Sequence, residues 1–384
     1  MKSAPAPPFA DLVILELATV LAGPQVGQFF AELGAFVLKV EPPAGDVTRT
    51  WKTAAEPAET DISAYFSSSN WGKKSIVLDL RTPAGLAAVY RLAARADVVL
   101  ASYKPGDAEK LGVDYDTLRQ HNPELIYGHL SGYGPASPRA GYDAVLQAEA
   151  GFMHLNALPG HAPQKMPVAL IDLLAAHQLK EGLLTALYRR ACTGEGALVQ
   201  VSLLDSALAS LANQAATFLV AGHDPQPLGS GHPSIVPYGT VYRAADGVQL
   251  ILAVGTDRQF QQLCAALSRA EWAAEPRFAT NEARVAHRAE LEALLHARIG
   301  EVNGAELLRQ LEGLGVPAGA VRTVGEALTH ESAGAMLLPA PADFAHQGVR
   351  TVAFRSPAWP EVAALSAPPL LGQHTAAELP ELLR

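Results

Sequence analysis

Short apolar runs rich in β-branched residues, each followed by a helix-patterned segment, constrain this chain more than any other feature. From Leu12 it reads LVILEL, the turn AGP, the helical pattern VGQFFAELG and a second apolar run, AFVLKVE. Strand, turn, helix, strand is a βαβ unit. The pattern recurs as SIVLDL (75–80), a helical GLAAVYRLAARA (85–96), DVVLASY (97–103), a helical DTLRQHN and LIYGHL (125–130). Strands without polar alternation are apolar on both faces, so they predict a parallel sheet covered by helices on both sides, an α/β doubly wound domain.

After residue 151 the texture changes. Leu170 to Arg190, LIDLLAAHQLKEGLLTALYRR, reads as one long, buried helix. The stretch DPQPLGSGHPSIVPYGTV (224–241) is dense in Gly, Pro and Ser and marks a linker or loop into a second unit. Helical patterns with alternating charge fill 256–312, and from VPAGAVRTVGEA onward a Pro-rich tail is expected to wrap back onto the first domain. A length of 384 residues suits two domains.

Composition removes several function classes. With 29 Lys+Arg against 38 Asp+Glu, a net charge of −9 and no basic block, the chain lacks an electrostatic grip on nucleic acid or an anionic membrane. An apolar share of 49% excludes general disorder. Only Cys192 and Cys264 are present, without a CxxC, which indicates neither a disulfide framework nor a thiolate metal site and suits a reducing cytoplasm. The segment MKSAPAPPFADL has no signal-peptide core, and no run of about 18 apolar residues follows. A soluble, unprocessed chain is expected.

Single motifs are weak. LAGPQVGQ (21–28) enters a helix through small residues, which lets backbone N–H groups approach a phosphate, but it is not GxGxxG and, taken alone, reads better as a tight turn that merely packs. Asp172, in PVALIDLLAAH, is a carboxylate in apolar company, readable as a helix N-cap or as a presented nucleophile. SGYGP (131–135) and GSGHP (229–233) are turns whose amides can hold an oxyanion. The twelve histidines form no HxH or HExxH, so no metal site is expected, and GxSxG is absent. Lys73, Lys74, Arg81, Lys104 and Lys110 fall near strand ends or in loops, where single cations are solvated by default.

Their order is more specific than any one of them. LAGPQVGQFFAELGAFVLKVEPPAGDVTRTW, SNWGKKSIVLDLRTPAG, YKPGDAEKLGVDYDTL, SGYGP, AGYDAVLQAEAGFM, PVALIDL, ALYRRACTGEGALVQVSLLDSAL, PYGTV and LLGQHT follow one another through nearly the whole chain. In this the sequence resembles the family III CoA-transferases, the CaiB/BaiF group that includes formyl-CoA transferase and α-methylacyl-CoA racemase. The resemblance implies a Rossmann-like large domain built from both termini, a smaller α+β domain, and a homodimer of interlocked rings. On that pattern residues 1–200 are the large domain, 201–228 a linker, 229–325 the small domain and 326–384 the return. It implies transfer of CoA from an acyl-CoA to a carboxylic acid, with no cofactor beyond CoA itself.

The resemblance also assigns residues. Asp172 aligns with the nucleophilic aspartate, which passes through a mixed anhydride and an aspartyl-CoA thioester. Gly229, Ser230 and Gly231 match the loop shielding those intermediates, and Ala22, Gly23, Leu78, Arg81, Ser102, Tyr103, Lys104 and Lys110 match the CoA surface. Departures are Ser102-Tyr103 for Asn-Phe, Pro42 for Arg and Ala176 for Gly. Racemases carry His where Tyr142 stands, and an ordinary phenol, with a pKa of about 10, is a poor base at neutral pH. Thr19 and Leu21 replace the His and Gln of the formyl/oxalate subgroup. Transfer is therefore favoured over racemisation; a non-catalytic acyl-CoA-binding paralogue is the remaining alternative, and a nicotinamide dehydrogenase lacks its GxGxxG.

Overall fold

The computed structural model describes residues 6–341, 344, 346–360 and 364–375, which divide into two compact units. The first comprises residues up to 150, 167–216 and 335 onward; the second comprises 151–166 and 217–334.

In the first unit the chain runs β1 (Val13–Glu16), α1 (Ala22–Glu32), β2 (Phe36–Glu41), α2 (Ala64–Ser67), β3 (Lys73–Val77), α3 (Pro83–Ala93), β4 (Val98–Ala101), α4 (Asp107–Leu111), α5 (Tyr115–Leu118), β5 (Ile126–Ser131) and α6 (Asp143–Glu149). After α7 (Phe152–Leu155), which belongs to the second unit, it continues through α8 (Leu170–Thr193), β6 (Ala197–Ser202) and α9 (Leu203–Ala209). All six strands pair in parallel, in the order β3-β2-β1-β4-β5-β6. Mixed α/β architecture on a parallel sheet is what the unalternating apolar runs required. Ile14, Val98, Val99 and Leu100 are wholly buried, each worth about 1.5–3 kcal/mol of transfer free energy. Thr82 caps α3 through Gly85 N, with Pro83 at the first helical position.

Strand order reverses between β1 and its neighbours β2 and β4. At such a switch point the two crossover connections leave in opposite directions and open a crevice at the carboxyl ends of the strands.

Two expectations are corrected. α8 is one helix, but only one face is buried: Ala175, Ala176, Leu179 and Leu183 are covered, whereas Leu184 is 38% and Tyr188 74% exposed. Nor is Lys73 solvated. It starts β3 and is 1% exposed. Its ammonium lies 2.8 Å from Glu16, Lys39 lies 3.0 Å from both Glu16 and Asp46, and Arg49 lies 2.7 Å from Glu41. Three cations and three carboxylates thus neutralise one another inside the sheet. Burial pushes the Lys73 ammonium down to about 8 against the pull of Glu16. For Lys39 burial also acts downward, but Glu16, Asp46 and Glu41 outweigh it and leave the group raised.

The tail returns to β3. His374 N donates to Ser75 O at 3.0 Å, Arg49 donates to Pro369 O at 3.1 Å, and Leu365 packs on Trp71.

The second unit holds the antiparallel sheet β7 (Tyr238–Arg243), β8 (Gln249–Ala253) and β9 (Ala318–Ala320), with β8 in the middle. Its core joins Tyr242, Leu250 and Leu252 to Phe260, Leu263, Phe278 and Leu291. Arg284 is fully buried there because every arm has an acceptor: Val236 O at 2.8 Å, Phe278 O at 2.9 Å and Asp257 at 2.8 Å. Among the described residues no single helix is long and apolar enough to cross a membrane.

Candidate active site

A cavity of about 220 Å³ opens in the first unit where β1, β4 and β5 end. The segment after β1 supplies Thr19 to Gly23, the segment after β4 supplies Ser102 to Lys104, and Leu130 to Gly132 close the third side. Thr19 N donates to Ser102 Oγ at 3.0 Å, tying two of these walls together. Val20 has φ 71°, a left-handed conformation that strains a β-branched residue by about 1–2 kcal/mol. Its N–H points to the Asp46 carboxylate at 3.3 and 3.4 Å, so the buried charge network holds the strained residue. α1 starts immediately after with no capping side chain and no acidic residue in its first turn. The first N–H groups of a helix have no intrahelical acceptor, so an uncapped start favours an anion.

Two carboxylates share the cavity and differ in what surrounds them. Asp143, at the start of α6, accepts from Ile171 N at 2.8 Å and from Gln147 Nε2 at 2.8 Å. Asp172 accepts no hydrogen bond among the described residues. This corrects the capping role open to Asp172 in the sequence: the N-cap position is Ala169, which caps nothing, and Asp172 is the third residue of α8. Asp143 instead satisfies the first turn of α8 from outside. Burial, and then the negative charge of Asp143, push the half-buried Asp172 carboxyl up to about 7.

The segment that leads into Asp143 is set by a close approach of main chain. A Cβ on Gly141 would stand 2.3 Å from Gly132 Cα, and one on Gly132 would stand 2.6 Å from Gly141 Cα. The SGYGP loop and the AGYD segment therefore touch main chain to main chain. Tyr65, on α2, also feels the site. Burial, then the charges of Asp172, Asp143 and Asp46, push its phenol up to about 12, and its ring meets Trp51 edge-on at 5.0 Å.

Ala22, Gly23, Ser102, Tyr103, Lys104 and Asp172 all line the cavity. Lys104 is exposed and its ammonium has no partner among the described residues. Leu78, Arg81 and Lys110 lie outside the lining: Leu78 packs on the sheet core, Arg81 pairs with Asp79 at 2.9 Å and Lys110 with Asp107 at 2.9 Å. Gly229, Ser230 and Gly231 belong to the second unit. There Gly229 N donates to Ala157 O and Gly231 N to Leu228 O, and glycine at 239 leaves room for the Ser230 carbonyl. Of the three amides only that of Ser230 lacks an acceptor among the described residues. Sequence reasoning missed Asp143 as a cap, Tyr65 and Arg139. The first was signalled by the Asp opening a helical run in GYDAVLQAE.

A carboxylate free of hydrogen bonds, beside an uncapped helix start at the switch point of a parallel sheet, defines a protein equipped for nucleophilic chemistry on an anionic substrate. The chain belongs to CoA-transferase family III, whose model matches residues 9–375, and it is a CoA-transferase. It is 41% identical over 327 residues to the succinate–glutarate CoA-transferase of Agrobacterium fabrum, covering 83% of this chain and 81% of that one. With the succinyl-CoA:glutarate CoA-transferase of Mus musculus it shares 34% identity over 98% of this chain and 87% of the other. A solved CaiB/BaiF family protein from Brucella suis superposes with a TM-score of 0.85 at 39% identity, over 98% of this chain and all of that one.

Proposed function

We propose that Asp172 is the nucleophile and that a dicarboxylic acid is the acceptor. The observation that carries the first statement is the contrast within the cavity: Asp143 spends its oxygens on α8 and Gln147, and Asp172 spends none. An ionised Asp172 oxygen attacks the thioester carbonyl of the acyl-CoA, the C–S bond breaks, and the CoA thiolate leaves. The thiolate then attacks the aspartyl carbonyl of the mixed anhydride and releases the first acid as its carboxylate. The acceptor carboxylate attacks the resulting aspartyl-CoA thioester, and the returning thiolate takes the new acyl group and frees Asp172. No net proton moves, and each step exchanges one acyl bond for another. The amides at the start of α1, those of Ala22 and Gly23, are the candidate donors to the oxyanions.

The similarity to the succinate–glutarate enzymes supports a dicarboxylic acceptor. A cavity of about 220 Å³ admits only the reactive end of CoA. The nucleotide therefore runs outward past Tyr103 and Lys104, towards the surface that carries Leu78, Arg81 and Lys110. CoA enters as substrate, with no tightly bound cofactor. The family's interlocked homodimer, with a Rossmann-like domain closed by both termini and bounds near 200, 228 and 325, is part of this reading. The exposed apolar residues Tyr188 on α8 (74%) and Leu219 (79%) and Val220 (87%) support a covering subunit. The free Cys192 and Cys264 suit a cytoplasmic setting.

The test is oxygen transfer. With an ¹⁸O-labelled acceptor, each turnover leaves one acceptor oxygen in the nucleophile, so the peptide containing Asp172 gains label and no other peptide does. An unlabelled Asp172 after many turnovers means direct exchange in a ternary complex.

A further inference from the structure

We infer that Arg139 determines acceptor specificity: its guanidinium receives the distal carboxylate of a dicarboxylic acid whose other carboxylate reacts at Asp172. The inference rests on the reading of the Asp172 cavity as the place of CoA exchange and adds the residue that selects the acid.

Arg139 lines the same cavity as Asp172. Its orientation is fixed from two sides. One terminal nitrogen donates to Glu149, and the guanidinium carbon lies 4.0 Å from the centre of the Tyr133 ring. Tyr133 sits in the loop pinned through Gly132 to Gly141, so the platform beneath the guanidinium is itself anchored. An arginine offers five N–H donors in a rigid fork, and here Nε and the second terminal nitrogen have no acceptor among the described residues. A fork held by one carboxylate and one aromatic face, with its remaining donors open, is organised in advance for a bidentate carboxylate.

Charge explains why such a group is needed. Asp143 keeps its negative charge in the cavity while Asp172 is held as the neutral thioester, and a dianionic acceptor meets that like charge as it enters. Leu130 and Leu203 supply an apolar stretch of wall for the methylenes between the two carboxylates. A monocarboxylic acid of equal length would leave its apolar end against the open guanidinium, which discriminates against it.

The experiment compares glutarate and succinate with valerate and butyrate as acceptors, using butyryl-CoA labelled in its acyl group as donor, so that the donor carries no distal carboxylate and exchange with butyrate is read as label released into free acid. Arg139→Gln is expected to raise KM for the two dicarboxylates about 30- to 100-fold and to leave KM for butyrate and for butyryl-CoA within about twofold. Arg139→Lys should restore part of the loss for the dicarboxylates alone. Equal losses for both acceptor classes, a raised KM for butyryl-CoA, or unchanged glutarate kinetics would each overturn the assignment. Should the native enzyme transfer CoA to none of the acids, the reading of the cavity fails first. Calorimetric binding of glutarate and valerate to native protein and Arg139→Gln still decides the role of Arg139: about tenfold weaker glutarate binding supports it, and equal binding ends it.

Discussion

Two groups of charge belong to the parallel-sheet unit, and they are built on opposite terms. Around Glu16, Lys39 and Lys73 every charge has a partner within 3.0 Å and none meets solvent. In the cavity beside them Asp172 has no partner, and Lys104 stands free in solvent. Compensated charge in a dry interior fixes geometry, because removing one member strands the others. Uncompensated charge stores reactivity instead. The first group holds Val20 through Asp46 and so shapes the wall of the second.

The sharpest way to break this comparison is to neutralise Asp172. Asp172→Asn is expected to lower transfer by at least about 10³-fold, measured as exchange of label between acyl-CoA and free acid. The same variant should gain stability. The folded carboxyl titrates at about 7 against an ordinary value near 3.8, so the native state binds the proton more tightly than the unfolded chain. Its stability contribution is present below pH 4 and is lost as pH rises to 7. Asn undergoes no such loss, so denaturant unfolding at pH 8 should show Asp172→Asn more stable than the native protein by about 1–3 kcal/mol, with the gap closing towards pH 4. In the native enzyme the first half-reaction should rise with pH through about 7, as Asp172 ionises.

The compensated group should respond in the reverse sense. Glu16→Gln leaves Lys39 and Lys73 sharing Asp46 and main-chain oxygens, and a loss of about 3–5 kcal/mol in unfolding free energy is expected. Unchanged stability would show that the pairs contribute no more than surface ones. The smallest effect belongs to Arg81→Ala and Lys110→Ala. Both side chains are more than three-quarters exposed, so the unfolding midpoint should stay unchanged while CoA affinity falls in titrations with CoA.

Much of the first unit was legible because parallel strands leave a local signature. LVILEL, AFVLKVE and DVVLASY each became a strand, and the AGP turn became the start of α1. Asp172 was legible only through motif order; its chemistry depends on Asp143, 29 residues earlier in sequence, and on burial, neither of which is local. The buried network was missed for a different reason. Glu16 and Lys39 each interrupt an apolar strand, and complementary charges in paired strands were a usable sign of ion pairing; Lys73, in GKKSIV, looks like any basic strand start. Contact between Gly132 and Gly141 has no sequence signature beyond the glycines themselves, since either could have served a turn.

That contact has a bearing on how such an enzyme changes over generations. Because main chain rests on main chain, any side chain at either glycine would prise the loop from the segment that carries Asp143. The intervening residues, Tyr133 and Arg139 among them, carry no such restriction. Lineages can redraw the acceptor side of the cavity by ordinary drift while the clamp on α8, and with it the setting of Asp172, is inherited intact.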